Sequence, residues 1–387
     1  MGKPISDQVV VITGASSGVG RETALRCARK GATVVITARN EEALRAVNNE
    51  IAHDGSHVMA IPADMADWHQ VQRVAQQVVE RFGRIDTWVN NAAVGVYGTF
   101  SQVPVDEFRR VMDVNLLGQV YGAKAALPHL KKEGGTLIGI GASSSLLPTP
   151  LQSAYTASAF ALKGLYDTLR LEQQHERSGV NVSLILPSMV DTPFFEHAKT
   201  YLGVKPAPFS PVYEAGAVAD AILHAAQRPV RDLNVGAGGL LALAERIWPR
   251  LTDAYIRRVS FTGQLSDQPK SPSGPNNLWR PVPGPGAIGG GYRSLPVEPY
   301  SWIQTHPAVR NAVAGVALSA VVLPAIGLGL AALVLPAAGF AIRRRGAARF
   351  ALPFAAFAVR RAQRRACVAE TAAPGRGGRL LSRILVR

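Results

Sequence analysis

The amino-acid sequence predicts a doubly wound α/β fold with a seven-stranded parallel sheet, and three observations support this prediction. Seven short apolar runs of four to seven residues recur through the first 235 residues. Longer segments with helical periodicity lie between them, which is typical of repeated β-α units. A glycine-rich turn joins the first apolar run to the first helical segment. Such alternation places helices on both faces of one parallel sheet.

The predicted strands are short runs rich in Val, Ile and Leu, as expected for parallel strands that are buried on both faces. They cover 9–13, 33–37, 57–61, 85–89, 135–140, 180–186 and 232–235. The predicted helices repeat apolar residues three and four positions apart. They cover 19–30, 41–53, 67–82, 106–131, 152–177 and 214–227, and a further helix over 238–262 is broken near Pro249.

The composition changes after the last predicted helix. Residues 269–299 hold eight Pro and six Gly, and such a segment buries little apolar surface. We therefore predict that the α/β domain spans 1–262 and that an extended Pro/Gly-rich linker spans 263–307.

The C-terminal tail carries most of the net charge of +15, since residues 300–387 contain thirteen Arg and one acidic residue. Residues 312–342 contain no charged side chain, and the prolines among them favour a hairpin or an interfacial helix over one straight span. We predict a membrane-associating segment over 308–365, a disordered basic tail over 366–387, and a location on the cytoplasmic side of a membrane. The alternative is a soluble helical pair packed on the domain.

Other classes of protein are disfavoured. Cys27 and Cys367 lie 340 positions apart, which favours a reducing compartment over a disulfide framework. The first apolar run is too short for a secretory signal. We expect no metal site, because His and Cys are not clustered at ligand spacing. We also expect no nucleic-acid partner, because the Arg-rich tail lacks interleaved aromatic residues.

The glycine-rich turn reads Thr13-Gly14-Ala15-Ser16-Ser17-Gly18-Val19-Gly20. Glycines there permit a tight turn and the close approach of a pyrophosphate to a helix N-terminus. Arg39 follows the second predicted strand, where an acidic residue would favour NAD. A guanidinium suits a 2′-phosphate instead, so we predict NADP(H) as the cofactor. The alternative is that Arg39 is a solvated surface residue.

Further motifs occur in order along the chain: Asp64 after the third strand, Asn90-Asn91-Ala92-Ala93 after the fourth, Asn115, Tyr155 and Thr192. Over residues 5–235 the chain resembles the short-chain dehydrogenase/reductase family. The resemblance implies a Rossmann fold and a homo-oligomer formed through the two long helices. It also implies catalytic roles for Asn115, Ser143 and Tyr155, and cofactor contacts from Gly14, Ser16, Ser17, Gly18, Val19, Gly20, Arg39, Asp64, Asn90, Tyr155 and Thr192.

The catalytic motif departs from the family at Ala159, which occupies the position of the family's Lys. Ala159 lies four residues after Tyr155, so both share one helix face. A Lys there favours the ionised tyrosine, since a nearby cation lowers the pKa of a phenol. We therefore predict an impaired site in which neutral Tyr155 still serves as the acid for reduction. The sequence leaves open whether Ala159 is natural or introduced.

The family's serine also has no direct counterpart. The usual spacing of thirteen residues before the tyrosine falls on Ala142, and we predict that Ser143 takes that role. The alternative is that Ser143 to Ser145 only satisfy loop backbone groups.

The predicted function is the NADP(H)-dependent reduction of a lipophilic carbonyl, or oxidation of the matching alcohol, because aromatic residues fill the segment after the sixth strand. The alternative is a catalytically weak, membrane-tethered NADP(H)-binding scaffold or redox sensor.

Overall fold

The computed structural model describes residues 3–228 and 230–296. Seven parallel strands form one sheet, which confirms the predicted fold class. The spatial order of the strands is β7-β6-β5-β4-β1-β2-β3. The strands are Val9–Thr13 (β1), Thr33–Ala38 (β2), Val58–Pro62 (β3), Thr87–Asn90 (β4), Thr136–Ile140 (β5), Asn181–Pro187 (β6) and Asp232–Val235 (β7).

The strand order reverses beside β1. Val11 of this strand pairs with Val35 of β2 on one side and with Trp88 of β4 on the other. The chain segments that follow the neighbouring strands turn to opposite sides of the sheet at this point. A crevice therefore opens beyond the carboxyl ends of the strands. The glycine-rich turn follows β1 and lies at this crevice.

Helices cover both faces of the sheet. They are Gly18–Arg29 (α1), Glu41–His53 (α2), Trp68–Phe82 (α3), Val105–Met112 (α4), Gly118–Glu133 (α5), Ser153–His175 (α6), Ala215–Gln227 (α7), Gly238–Ile247 (α8) and Pro249–Gly263 (α9). The helix predicted over 106–131 is divided by the wide turn Asp113–Leu117. Pro249 begins α9, because the first turn of a helix tolerates the missing amide of proline.

The apolar core forms two layers, one on each face of the sheet. On one face Leu25 and Ile222 pack in a cluster with Ile12. On the other face Val74 and Tyr166 pack in a cluster with Trp88. Full burial of each large apolar side chain contributes about 1.5–3 kcal/mol, so both layers hold the strand ends in fixed positions.

Within the described residues, three short strand pairs lie outside the main sheet. Val96–Tyr97 pairs with Lys199–Thr200, and Met189–Asp191 pairs with Val212–Glu214. A third, antiparallel pair joins Val204–Pro206 to Leu265–Pro269. These pairs fix the segment between β6 and α7 over the same end of the sheet as the crevice.

The described part of the segment predicted as an extended linker, 263–296, packs against the domain. Leu265–Pro269 forms a strand, and Leu278 is fully buried in a cluster with Val111 and Val114. A Pro-rich chain loses less conformational freedom when it is ordered. Its carbonyl groups accept hydrogen bonds from donors on the domain. The compact unit therefore continues past the predicted boundary at 262.

None of the helices within residues 3–228 and 230–296 is long and apolar enough to cross a bilayer. The predicted membrane-associating segment at 308–365 and the predicted basic tail at 366–387 lie outside the described residues. So do residues 297–307 of the predicted linker.

Candidate active site

The glycine-rich turn forms a cradle that side chains would fill. A Cβ on Gly14, whose φ is +68°, would lie 2.8 Å from the Cα of Ala92. A Cβ on Gly20 would lie 2.4 Å from the carbonyl oxygen of Gly14. Glycine is therefore required at both positions, and the turn brings backbone rather than side chains to the start of α1.

The N-terminus of α1 retains amides without acceptors. The Gly18 amide donates to the carbonyl of Ala287 over 2.8 Å, and the Arg21 amide donates to the carbonyl of Ser17 over 3.2 Å. Within the described residues, the amides of Val19 and Gly20 have no hydrogen-bond acceptor. Such amides at the positive end of a helix dipole bind anions.

A cavity of about 590 Å³ extends from this cradle to Tyr155. It reaches most of the predicted cofactor residues. Those that line it are Gly14, Ser16, Ser17, Gly18, Val19, Arg39, Asp64, Tyr155 and Thr192. Because these residues surround a continuous space beside a phosphate-binding cradle, the site fits an extended dinucleotide.

The predicted 2′-phosphate ligand, Arg39, is mostly buried among charged neighbours. Its Nη1 lies 3.9 Å from a carboxylate oxygen of Asp64, which also accepts a hydrogen bond from Arg110 over 2.6 Å. Burial lowers the pKa of Arg39, and the nearby Asp64 opposes this shift. The guanidinium also donates to backbone carbonyls of the segment after residue 276.

Tyr155 lies near the start of α6 and lines the cavity. Its ring contacts Phe194 edge to face, with 5.6 Å between the ring centroids. Burial raises the pKa of Tyr155 to about 12. Within the described residues, no hydrogen bond or ion pair joins a cation to this phenol. Ala159 is buried one helical turn further on.

Lys163 does not substitute for the missing cation. Its ammonium pairs with Asp167 and lies 3.3 Å from a carboxylate oxygen of Asp232. Both acids also contact Arg170. The ammonium of Lys163 is therefore paired with acids of its own and not with Tyr155.

Within the part of the chain that the structure describes, the remaining predicted catalytic residues, Asn115 and Ser143, make no hydrogen bond to Tyr155. Asn115 is buried, accepts from the Val94 amide over 2.9 Å and donates to the Val94 carbonyl over 3.0 Å. Ser143 begins a short helical turn and lines the cavity. A Cβ on Gly238 would lie 2.5 Å from the Cβ of Ser143, so this serine packs against α8.

The prediction that Asn90 contacts the cofactor is not supported by its position. Asn90 is buried, accepts from Trp88 over 2.7 Å and donates to Tyr166 over 3.0 Å. Asn91 lines the cavity instead, and it donates to the carbonyl of Thr13 over 2.9 Å. Strand alternation explains the difference, since Asn90 shares a face of β4 with Trp88.

Sequence reasoning did not identify Tyr97 as a cavity residue. Tyr97 is fully buried, and its hydroxyl has no hydrogen-bond partner within the described residues. Burial is the main cause that raises the pKa of Tyr97, and the nearby Tyr155 raises it further. No pattern in the sequence marks this side chain, because its position depends on the pairing of Val96–Tyr97 with Lys199–Thr200.

A second cavity of about 390 Å³ adjoins the first. Ser143, Ser188 and Met189 line both of them. Its other walls come largely from apolar side chains of α8, α9 and the loop after β5. They include Leu147, Phe209, Leu240, Leu241, Tyr255, Ile256 and Val259.

Comparisons with known proteins agree with this architecture. Residues 8–201 match the family model described as short chain dehydrogenase. Over 274 residues the chain is 42% identical to a Bacillus subtilis (strain 168) protein named uncharacterized oxidoreductase YxnA, covering 70% of this chain and 77% of that protein. It is 36% identical over 190 residues to 11-beta-hydroxysteroid dehydrogenase A of Arachis hypogaea, covering 49% of this chain and 54% of that protein.

Solved structures show the same likeness. An alcohol dehydrogenase from Thermococcus sibiricus, complexed with 5-hydroxy-NADP, aligns with a TM-score of 0.53 at 27% identity and covers 59% of this chain and 95% of its own. A short-chain type dehydrogenase/reductase from Mycobacterium marinum aligns with a TM-score of 0.55 at 26% identity. The alignment covers 60% of this chain and 96% of that protein. The sheet order, the glycine cradle and these matches together show that the chain belongs to the short-chain dehydrogenase/reductase family of oxidoreductases.

Proposed function

We propose that the protein is a slow, NADP(H)-dependent reductase of a lipophilic carbonyl compound. The observation that carries this proposal is the position of Tyr155, a neutral phenol on the cavity that runs from the glycine cradle. Its pKa of about 12 keeps the proton on the hydroxyl throughout the physiological pH range.

The protonation state of Tyr155 is the one that carbonyl reduction requires at its start. A reduced nicotinamide, when bound, would supply the hydride for the carbonyl carbon. Tyr155 donates its proton to the carbonyl oxygen, and the phenolate then takes a proton from solvent. Alcohol oxidation needs the phenolate at the start, which is scarce when the pKa is about 12. We therefore propose that Tyr155 is ready to act as the acid of a reduction at neutral pH, and that the low phenolate fraction keeps turnover slow.

The preference for NADP(H) is proposed from Arg39. This guanidinium lines the nucleotide end of the cavity, where paired and charge-assisted hydrogen bonds would hold a 2′-phosphate. Asp64 accepts a hydrogen bond from Arg110, so its charge is partly neutralised beside Arg39. The related Thermococcus sibiricus enzyme was solved with an NADP derivative, which supports the same preference.

A lipophilic substrate is proposed from the second cavity. Apolar side chains of α8 and α9 line it, and Ser143 and Ser188 lie where it meets the first cavity. The plant relatives named 11-beta-hydroxysteroid dehydrogenase support a substrate of this class.

The second candidate function is a binding protein that holds NADP(H) with little turnover. Ala142 and Ala159 stand where the family places its Ser and Lys, and the Ser143 hydroxyl makes no hydrogen bond to Tyr155 within the described residues. Loss of a positioned acid or base typically lowers a rate by about 10²–10⁴. A protein with such a deficit could serve as a sensor of the cofactor's redox state.

Two further proposals concern assembly and location. A homo-oligomer through α5 and α6 would cover Leu117, Phe160 and Leu171, which expose large apolar side chains beside or on these helices. Sedimentation velocity tests this oligomer.

Attachment to a membrane through 308–365 is proposed from composition alone. Alkaline carbonate extraction of membranes tests this attachment.

The function is tested by titrating NADPH into the purified protein and assaying a panel of hydrophobic ketones and aldehydes. We expect binding and slow reduction by the parent, and faster turnover by Ala159→Lys. Ala157→Lys is the matched control, because its side chain is exposed on the same helix. Binding without turnover in the parent, together with turnover in Ala159→Lys, selects the binding protein. Failure to bind any nicotinamide cofactor contradicts both functions.

A further inference from the structure

Residues 276–292, called the strap below, cross the outer side of the cavity. They lie in the segment whose composition predicted an extended linker. Strap residues line the cavity together with the glycine cradle, among them Asn277, Val282, Gly284, Gly286 and Gly290. The cavity is therefore bounded by the α/β domain on one side and by the strap on the other.

The first end of the strap is held by a buried leucine and two arginines. Leu278 is fully buried in the cluster with Val111. The guanidinium of Arg39 donates to the carbonyls of three consecutive strap residues, 277 to 279. Arg110 donates to the carbonyl of Leu278 over 3.1 Å and lies over the ring of Trp279 at 5.6 Å.

The middle of the strap is held by Asn40, the residue that precedes α2. The Oδ1 of Asn40 accepts from the Ala43 amide and caps this helix. The Nδ2 of the same side chain donates to the carbonyls of Val282 over 2.8 Å and Gly284 over 3.1 Å. The position of the strap is thus tied to the start of α2.

The next contacts lie at the phosphate cradle itself. Arg21 on α1 donates to the carbonyls of Pro285 over 3.0 Å and Gly286 over 2.9 Å. The amide of Gly18 donates to the carbonyl of Ala287 over 2.8 Å. The strap therefore touches the first amide of α1 and leaves those of Val19 and Gly20 without an acceptor.

The far end of the strap is held beside the predicted cofactor contact Thr192. The Oδ1 of Asp191 accepts from the amides of Gly290 over 2.8 Å and Tyr292 over 3.0 Å. A Cβ on Gly290 would lie 2.5 Å from the carbonyl oxygen of Thr192, so only glycine permits this approach. The strap consequently spans the site from Arg39 to Thr192.

We propose that the strap is a wall of the dinucleotide site that closes over the bound cofactor, so that NADP(H) enters and leaves only when the strap opens. This inference rests on the proposed function, since a dinucleotide is the occupant. The strap encloses a space of about 590 Å³ rather than filling it. The Val19 and Gly20 amides, and the N–H donors of Arg39 that the strap does not use, remain available to phosphate oxygens.

The test measures NADPH release from the full chain by stopped-flow displacement with excess NADP⁺, followed through nicotinamide fluorescence. Leu278→Ala loosens one end of the strap and Asp191→Ala the other, and neither side chain lines the cavity. Val74→Ala is the matched control, since it weakens an apolar cluster of the domain that contains no strap residue. We expect NADPH release to become about tenfold faster in both strap variants, because each variant loses one interaction that anchors the strap. We expect the release rate to change little in the control.

Two results would overturn the inference while leaving the proposed function in place. One is an unchanged release rate in both strap variants. The other is tighter NADPH binding through faster association, which would mean that the strap excludes the cofactor. Failure of the parent to bind NADPH or NADH would overturn the proposed function, and the inference with it.

Amide hydrogen exchange is a second measurement of strap closure, and it does not depend on release rates. If the strap closes over the cofactor, NADPH slows exchange of the amides within 276–292 in the parent protein. Unchanged or faster exchange on binding contradicts closure.

Discussion

The Nζ of Lys163 lies 3.3 Å from a carboxylate oxygen of Asp232, at the first residue of β7. Lys163 lies two helical turns beyond Tyr155 on α6, so its cation is held at the edge of the sheet and away from the phenol. Ala159, one turn closer, carries no charge. The glycine cradle and Tyr155 are both present, whereas Ala159 stands at the position where the family resemblance implies a Lys.

Restoring the cation is expected to change the rate and the pH dependence of catalysis. In Ala159→Lys the ammonium lowers the pKa of Tyr155 and raises the phenolate fraction at neutral pH. We expect alcohol oxidation with NADP⁺ to increase by about 10²-fold or more at pH 7. The measurement is kcat/KM for oxidation and reduction from pH 6 to 10. Equal oxidation rates in the parent and in Ala159→Lys would contradict this account.

The Lys163 cluster is expected to affect stability and not catalysis. Burial alone would raise the pKa of Asp167, but hydrogen bonds from Lys163 and Arg170 outweigh it and hold it at about 2. Because this value lies below that of an unfolded Asp, the cluster stabilises the fold above about pH 4, and this contribution is lost as the pH falls toward 2.

Lys163→Met therefore lowers the free energy of unfolding at pH 7 by about 1 kcal/mol, since the cluster is partly exposed. The difference from the parent narrows as the pH is lowered. Urea unfolding at pH 7 and at pH 3 checks both points. A change in the pH profile of reduction in Lys163→Met would instead place this ammonium at the active site.

Arg39 is expected to discriminate between the two nicotinamide cofactors. Arg39→Ala removes a charged donor from the nucleotide end of the cavity, and we expect NADPH affinity to fall by about tenfold or more while NADH affinity changes less. Arg21→Ala is the matched control, because Arg21 also donates to strap carbonyls but does not line the cavity. Isothermal titration with both cofactors gives the comparison. If Arg39→Ala lowered the affinities for NADPH and NADH equally, Arg39 would only hold the strap and would not contact the 2′-phosphate.

Loss of the hydroxyl is expected to change the free energy of unfolding in opposite directions at two buried tyrosines. The hydroxyl of Tyr97 has no partner within the described residues, so Tyr97→Phe should raise the free energy of unfolding by about 1 kcal/mol. Tyr166 is also fully buried, but it accepts a hydrogen bond from Asn90, so Tyr166→Phe should lower it by about 1–2 kcal/mol. Denaturant unfolding of the two variants measures both. A loss of stability in Tyr97→Phe would show that its hydroxyl has a partner.

The sheet was predictable from the sequence because each strand is a short apolar run with a glycine or polar boundary. The first strand, Val9–Thr13, and the last, Asp232–Val235, begin and end at the predicted residues. The glycine cradle was predictable for a similar reason, since only glycine permits its backbone contacts. The position of Asn90 does not support its predicted cofactor contact, because the alternation along β4 places Asn90 on the same face as Trp88.

The strap was not predictable, because its order depends on donors that lie far away in the chain. Arg21, Arg39 and Asn40 precede the carbonyls they bind by more than 230 positions. A Pro/Gly-rich composition shows that a segment cannot form its own core, but it does not show that another part of the chain will bind it. Tyr97 was missed for the same reason, since its burial depends on a distant strand.

The most direct test of the account is the titration of Tyr155 itself. Tyrosine ultraviolet difference spectra of the parent, with Tyr155→Phe subtracted, report this one phenol, and the same pair is measured in Ala159→Lys. The account predicts that Tyr155 in the parent stays protonated up to about pH 10 and ionises at lower pH in Ala159→Lys. A phenolate that forms near neutral pH in the parent would contradict it.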